Sequence, residues 1–418
     1  MNPMKAAYCR IYQRCLWLSI PLLPYRRPKL FYSTSKLTGV FEERGIHSVL
    51  VITDPGVKKL GLINRMLEHF DHHNIRYLIY DKTVANPTID NVEEARDLYI
   101  KEGCQALIGF GGGSSMDCAK AVGARIARPD KTLAQMRGIL KVRKKLPLLI
   151  AVPTTAVTGS ETTLAAVVVD PETRHKYAIN DFPLIPEYAV LDPKITVSLP
   201  PFLTASTGMD ALTHAVEAYI GKSVTRETAK CSLKAVQLIF GNIYRAYDNG
   251  KNMEARENMS KAACLAGCAF TKSYVGYIHA VAHSLGGRYN IPHGYANAVL
   301  LPIVLEDYGP AVYGKLRDLA VAAGIADPKN SKEEAALRFI QAIKEMKKHF
   351  HFGDTFPEIR EEDIPEMAAY ADKEANPLYP VPVLMDAKSL SRIYYQCMVR
   401  NQEDDAVTSG EVPGKASE

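Results

Sequence analysis

The sequence predicts an α/β N-terminal domain with a Rossmann-like parallel sheet, followed by an all-α C-terminal domain, with the active site in the cleft between them. Three observations predict it. Short continuous apolar runs recur from about residue 45 to 195, the apolar period changes to 3.6 after Leu199-Pro-Pro201, and 418 residues suit two domains of ordinary size. With 47% hydrophobic and 23% charged residues, the chain has a globular composition that excludes disorder, collagen and coiled coil as its main architecture.

Residues 1–30 read as a basic arm. Residues 1–27 contain Lys5, Arg10, Arg14, Arg26 and Arg27 and no acid, so the chain beyond them is electrically balanced despite a net charge of +5. A neutral body with no basic stripe excludes nucleic acid as a principal partner, because phosphate neutralisation supplies that affinity. Tyr8, Ile11, Tyr12, Cys15 and Leu22 share one helical face, with Arg10 and Arg14 away from it. That face is expected to pack on the body or a second subunit rather than rest on an anionic membrane, where one short amphipathic arm attaches only weakly. The stretch 16–23 is broken by Ser19 and Pro21 and falls short of the roughly 20 residues of a transmembrane segment. No small-x-small cleavage site follows it, so export is not expected. The eight cysteines are scattered without a CxxC pair and read as reduced thiols of a cytoplasmic protein.

Residues 31–198 read as the sheet domain. The apolar runs 48–53, 76–80, 105–110, 146–152 and 165–169 are continuous rather than alternating, as in strands buried on both faces of a parallel sheet. Residues 199–399 read as the helical domain: Ala229, Leu233, Val236, Phe240 and Ile243 recur on one face, and helical segments follow at 252–270, 275–286, 311–323 and 332–348. The polar, acidic segment 400–418 is expected to be disordered.

Two loops point to a nucleotide. Phe110-Gly-Gly-Gly-Ser-Ser-Met-Asp117 leaves a strand and enters a helix, so Gly112 and Gly113 let a ligand approach the backbone while amides at the helix start face an anion. Such a turn alone is more often only a tight turn. The second loop, Pro153-Thr-Thr-Ala-Val-Thr-Gly-Ser-Glu161, offers several hydroxyls where a doubly wound sheet places its ligand crevice. Asp54 has two open roles: acceptor for a ribose diol, or N-cap of a helix that starts at Pro55.

A metal constellation lies in the second half. Asp210 and His214 are four apart on one helical face, His279 and His283 repeat that spacing, and His293 follows at the bend Ile291-Pro-His-Gly294. Either pair alone is commonly a surface ion pair or coincidence; five such residues within otherwise apolar segments make the kit for a divalent transition metal. The pattern does not choose among the five.

In these motifs the sequence resembles the iron-containing alcohol dehydrogenases, from about residue 45 to 397. The matching stretches are Gly111-Gly-Gly-Ser-Ser-Met-Asp117, Pro153-Thr-Thr-Ala-x-Thr-Gly-Ser-Glu161, Gly208-Met-Asp-Ala-Leu-Thr-His214, and His279-x-x-x-His-x-Leu-Gly286 with Pro292-His-Gly294. The resemblance implies Asp210, His214, His279 and His293 as metal ligands, with His283 as a neighbour facing nicotinamide and substrate. It also implies Gly112, Gly113, Ser114, Asp117, Thr154, Thr155 and Thr158 around the dinucleotide, with Asn86 and Lys176 added, and Asp54 on the adenosine ribose, favouring NAD over NADP. Fe2+ is the implied metal, with Zn2+ as the alternative, and a homodimer the implied assembly. Two departures stand out: Val157 where the family usually has glycine, and the basic arm with the single tryptophan, Trp17, outside the familiar core.

The implied reaction is hydride transfer between NAD and a small primary alcohol or aldehyde. One carboxylate and three neutral imidazoles around a divalent metal leave one net positive charge, which favours ionisation of the alcohol. His283 is the candidate for proton relay or substrate positioning, against a purely supporting hydrogen bond. Rival readings are a glycerol-dehydrogenase-like enzyme using zinc, a dehydroquinate-synthase-like lyase, and a non-catalytic metal- or nucleotide-binding relative. The lyase would be expected to carry extra cations, and 203–220 with 275–296 offer only Arg288.

Overall fold

Strands β1 (Lys29–Phe31), β2 (Ser48–Ile52), β3 (Arg76–Tyr80), β4 (Ala106–Gly111), β5 (Gly138–Ile139), β6 (Leu148–Pro153), β7 (Ala165–Asp170), β8 (His175–Asn180) and β9 (Tyr188–Val190) alternate with helices along the first half. The protein is described by a computed structural model over residues 1–155, 159–172 and 175–399; Val157 and Thr158, and the expected tail 400–418, lie outside them. Six strands form a parallel sheet in the order β1-β9-β6-β4-β2-β3. Its central strands read as continuous apolar runs because both faces are covered: Leu50, Ile52 and Leu107 enter one core, while Val49, Val51, Ile108 and Phe110 enter the other. From β2 the chain crosses to β3 at one edge, and from β4 to β6 on the other side. The ends of β2 and β4 therefore flank the switch point where such a sheet opens a ligand crevice.

The run 165–169 does not join this sheet. It is β7, antiparallel to β8 in a separate three-stranded sheet whose third member, β5, runs parallel to β8. Ala166 and Val168 are buried, whereas Ala165, Val167 and Val169 are only partly covered. The run is a one-sided strand whose outer face also happens to be apolar. The edge-side strands β1 and β9, three residues each, carry too short a pattern to be foreseen.

The second half is helical. The helix Pro201–Ile220 is its axis: Thr204 through Ile220 are all buried, enclosed by the helices Arg226–Asp248, Met253–Ser273 and His293–Tyr308. A helix wrapped on all sides shows no apolar stripe, and its polar residues are interior by construction. Helices Tyr277–Tyr289, Tyr313–Ala322, Lys332–His349, Ile364–Ala375 and Ala387–Cys397 complete the layer around one core.

The arm contains the helix Pro3–Ser19, which docks on the body by a different face from the one expected. Tyr8, Ile11 and Leu22 are exposed, at 58%, 65% and 86%, and Cys15 is exposed too, while Cys9 and Gln13 are buried. The surface beneath is a row of backbone carbonyls. Gln13 Nε2 donates to Tyr379 O (2.7 Å) and Pro377 O (3.2 Å), and Arg10 donates to Val381 O (2.7 Å) and Pro382 O (2.9 Å). Carbonyls in a covered segment require donors, so the polar side chains turn inward and the apolar ones outward. Among the described residues no helix is long and apolar enough to cross a membrane.

Candidate active site

The two loops that the sequence marks as a candidate nucleotide site leave the ends of β4 and β6, with Asp54 just beyond the end of β2. Gly111 pairs with Pro153 across β4 and β6, and Thr154 N then donates to Gly111 O (3.0 Å), so the two loops leave the sheet side by side. Gly112 is the N-cap of the helix Gly113–Ala127 and supplies no side-chain cap, which leaves the first-turn amides free for an anion. A Cβ on Gly111, whose φ is +154°, would fall 2.4 Å from Ser115 Oγ, whereas one on Gly112 would meet open space. The first glycine is thus required by packing and the second borders the crevice.

Asp54 fills the capping role: Oδ1 accepts from Val57 N (2.9 Å), and Pro55 opens the helix Pro55–Lys59. Its Oδ2 lies 3.4 Å from Ser115 Oγ, beside the glycine loop. Asn86, Ser114 and Lys176 meet: Asn86 N donates to Ser114 Oγ (3.1 Å), and Lys176 Nζ donates to Asn86 Oδ1 (2.7 Å). Thr154 is buried and Thr155 half-buried on the second loop. Asp117 is turned inward, accepting from Ser160 Oγ (2.7 Å) and Val167 N (3.1 Å). Beside it is Lys120, which sequence reasoning passed over. Wholly buried, its ammonium shares its three N–H donors among Ser160 Oγ, Thr163 Oγ1, Thr163 O and Ala165 O at 2.8–3.1 Å. Burial pulls its pKa down to about 8, against the nearby Asp117 and Glu161 carboxylates. Asp117 and Lys120 together brace the second loop, and their spacing of three on one helix was the available signal.

That loop also locks the two halves together. A Cβ on Gly267, in the helix Met253–Ser273, would lie 2.3 Å from Thr162 Oγ1, and one on Gly159 would lie 2.6 Å from Gly267 Cα. Backbone meets backbone there.

Below the loop, Asp210, His279 and His293 bring one ligand atom each within 4.8 Å of one another. His279 Nε2 and His293 Nε2 are both 3.6 Å from Asp210 Oδ1. His293 is not on a loop: it is the first residue of the helix His293–Tyr308, with Pro292 at the N-cap. Three helices therefore converge. The Pro-His-Gly sequence makes a helix start rather than a break, because proline fits the beginning of a helix and Gly294 allows a close approach. A Cβ on Gly294 would lie 2.4 Å from Ser206 O.

The four imidazoles form a row. His214 stacks on His279 (centroids 4.4 Å apart), His279 lies 5.3 Å from His293, and His293 stacks on His283 (5.1 Å). The row runs from buried His214 to exposed His283. His214, sandwiched between His279 and Phe270 (4.1 Å), stands beside the three-atom cluster rather than in it.

The donor set fits a cation. Asp210 is 1% exposed, and its Oδ2, like His214 Nδ1, has no hydrogen-bond partner. Asn297 turns its Nδ2 to Asp210 Oδ1 (2.6 Å), His293 Nε2 (3.1 Å) and His279 Nε2 (3.2 Å), so an electropositive group sits where the three donor atoms converge. A buried carboxylate facing imidazole lone pairs is costly without positive charge at that point. Burial would raise the Asp210 carboxyl, yet His214, His293 and His279 hold it below the carboxylate range. Burial pulls His214 down to about 3, which keeps it a neutral ligand type.

Two carboxylates behind the row escaped the sequence reading. Glu217, one helical turn beyond His214, accepts from Ile278 N (2.9 Å) and holds His279 Nδ1 at 2.5 Å, so His279 Nε2 faces the cluster. Against burial, Glu217 and Asp210 raise His279 to about 9. Glu374, in the helix Ile364–Ala375, lies 2.7 Å from His283 Nδ1 and accepts from Tyr379 OH (2.8 Å). A Glu seven residues after Asp210 was the only cue for Glu217; for Glu374 the sequence offered none.

A family model described as iron-containing alcohol dehydrogenase matches residues 31–193, and one described as the Fe-containing alcohol dehydrogenase family, C-terminal, matches residues 204–398. The chain is 40% identical over 343 residues to alcohol dehydrogenase 4 of Schizosaccharomyces pombe, covering 80% of each. It is 36% identical over 369 residues to 1,3-propanediol dehydrogenase of Klebsiella pneumoniae, covering 86% of this chain and 95% of that one. Among solved structures, a 1,3-propanediol oxidoreductase superposes with a TM-score of 0.85 at 34% identity, over 89% of this chain and 99% of that one. The sulfoacetaldehyde reductase of Bifidobacterium kashiwanohense, in complex with NAD+, superposes with a TM-score of 0.79 at 27% identity, over 89% and 98%.

Proposed function

From the premise that the chain belongs to the iron-containing alcohol dehydrogenase family, we propose that it transfers hydride between NAD and a small primary alcohol or aldehyde, with Asp210, His214, His279 and His293 holding the metal. The observation that carries this reading is the convergence of Asp210, His279 and His293 within 4.8 Å beside a stacked His214. This converging set lies next to a glycine loop whose helix start has no side-chain cap. When bound, the metal supplies Lewis-acid polarisation of the substrate oxygen and NAD the hydride acceptor.

The chain's own residues divide the remaining work. Glu217 fixes the His279 tautomer by accepting at Nδ1. His283 keeps a proton at Nδ1 toward Glu374, which leaves Nε2 to position or relay a proton to the substrate oxygen. The amides of Gly113 and Ser114 receive the pyrophosphate, and Asp54 Oδ2 receives the adenosine ribose, with Oδ1 retained as helix cap. Asn86, Lys176, Thr154 and Thr155 border the dinucleotide, with Thr158 assigned to it by the sequence motif alone, while Asp117 acts from behind through the second loop. The proposal includes a homodimer in the cytoplasm, a setting that suits eight thiols.

The test is NADH formation from NAD and a panel of short primary alcohols. Protein is purified without oxygen, stripped with chelator and reloaded with Fe2+ or Zn2+ separately. Activity lost on stripping and restored by one metal is expected, and identifies the metal. Activity indifferent to stripping refutes the ligand set; no turnover with either ion refutes the redox reading. Light scattering at the mass of one chain would refute the dimer.

A further inference from the structure

We propose that the N-terminal helix is a positioning element of the active site, in which Gln13 orders Tyr379, Tyr379 orders Glu374, and Glu374 fixes His283. The proposal rests on the role given to His283 above. The helix Pro3–Ser19 lies outside the matched family models, which begin at residue 31. Lys5 pairs with Asp372 (2.7 Å), and Gln13 and Arg10 donate to the carbonyls of Pro377, Tyr379, Val381 and Pro382.

Tyr379 stands at the centre. Its carbonyl accepts from Gln13 Nε2 at 2.7 Å and from Val381 N at 2.8 Å, and its own N–H donates to Ala375 O at 2.7 Å, so the arm supplies one of three bonds that hold this backbone. From that anchored residue the phenol donates to Glu374 Oε1 (2.8 Å), and the same oxygen faces His283 Nδ1 at 2.7 Å. A carboxylate oxygen that takes the Tyr379 proton and the His283 proton together sets the imidazole in one tautomer and one orientation. Without the arm, the carbonyls of Pro377, Val381 and Pro382 would turn to water, and the backbone that aims the phenol would lose one of its three hydrogen bonds.

Stability alone does not explain this arrangement. A helix docked for burial would present its apolar stripe to the body; this one exposes Tyr8 and Ile11 and buries Gln13 beside the small Cys9. What the docking face delivers is donors to the segment behind His283.

The test uses full-length Gln13→Leu, Tyr379→Phe, Glu374→Ala, Glu374→Gln, and the double Gln13→Leu/Glu374→Ala, with Ile11→Ser on the exposed face as control. Glu374→Ala is expected to lower kcat about 10- to 100-fold with KM for NAD unchanged, the range seen when such supporting groups are removed. Gln13→Leu and Tyr379→Phe should each lower kcat severalfold, and Glu374→Gln, which keeps an acceptor oxygen, should recover most of the loss. The double variant should be no slower than Glu374→Ala, since Gln13 acts through it. Independently of turnover, side-chain 15N NMR of the metal-free protein should show His283 as the Nδ1–H tautomer, and a mixture in Gln13→Leu. The proposal is overturned if Gln13→Leu and Tyr379→Phe leave kcat and the tautomer as in the parent, or if the losses multiply in the double variant. If the parent never forms NADH, the functional reading fails, and the tautomer measurement still decides the positioning claim.

Discussion

Gly294→Ala probes the one contact that sets how closely His293 approaches Asp210. Alanine suits a helix better than glycine by about 1 kcal/mol, so local propensity favours the change. Sterics oppose it. The new Cβ would sit 2.4 Å from Ser206 O and 2.9 Å from Ser206 C, on a buried helix with no room to recede, and 3.4 Å from Asp210 Cβ. Ordinary C···O contact is about 3.4 Å, so the start of the helix His293–Tyr308 must withdraw by roughly 1 Å. Overpacking of this kind costs about 1–3 kcal/mol, enough to outweigh the propensity gain. His293 moves with the helix, opening its 3.6 Å separation from Asp210. Metal coordination tolerates only about 0.2 Å, and an error near 1 Å in a reacting geometry costs on the order of 100-fold. The expected result is metal affinity at least 10-fold weaker by chelator competition, with kcat/KM lowered on the order of 100-fold and a modest loss of stability in urea. Parent metal affinity together with parent turnover would refute the reasoning, because the helix would then be free to slide without disturbing the site.

Two further outcomes follow from the groups around the site. Glu217→Gln removes the charged acceptor behind His279 and should weaken metal binding about 10- to 100-fold by chelator competition; an unchanged affinity would show that the carboxylate's charge is not needed to orient the ring. Glu161 is buried and its pKa is raised by burial to about 7 from an ordinary 4.5, so the folded protein holds that proton more tightly than the unfolded chain. The resulting stabilisation is complete below pH 4.5 and lost as pH rises through 7. Glu161→Gln does not titrate, so its stability relative to the parent should rise between pH 5 and 8, by up to roughly 3 kcal/mol, in urea melts at three pH values. A pH-independent difference would contradict it.

How much of the site was legible depended on whether its signal was local. Asp210 and His214, or His279 and His283, show their shared face through spacing alone, since a helix repeats every 3.6 residues. Gly111 to Gly113 announce a turn because backbone approach needs no Cβ. Glu374 could not be found this way: it lies 91 positions from His283, on a different helix, and only docking brings them to 2.7 Å. Asn297 was equally hidden, one turn along a helix whose start read as a bend. The arm failed for a related reason. A helical wheel shows which residues share a face but not what waits beneath it, and here carbonyls waited rather than apolar side chains.

By itself, the sequence determined a doubly wound parallel sheet followed by helices, a glycine-rich turn after β4, and histidines and an aspartate that share helical faces, because each is written in residue type and short-range period. Only the tertiary structure decided which run leaves the main sheet, as β7 does by pairing with β8. It alone gathered Asp210, His279 and His293 from three helices, set Glu217 and Glu374 behind their imidazoles, and turned Gln13 rather than Tyr8 inward. These are contacts between segments far apart along the chain, chosen by the requirement that buried polar groups find partners. No local pattern encodes that requirement.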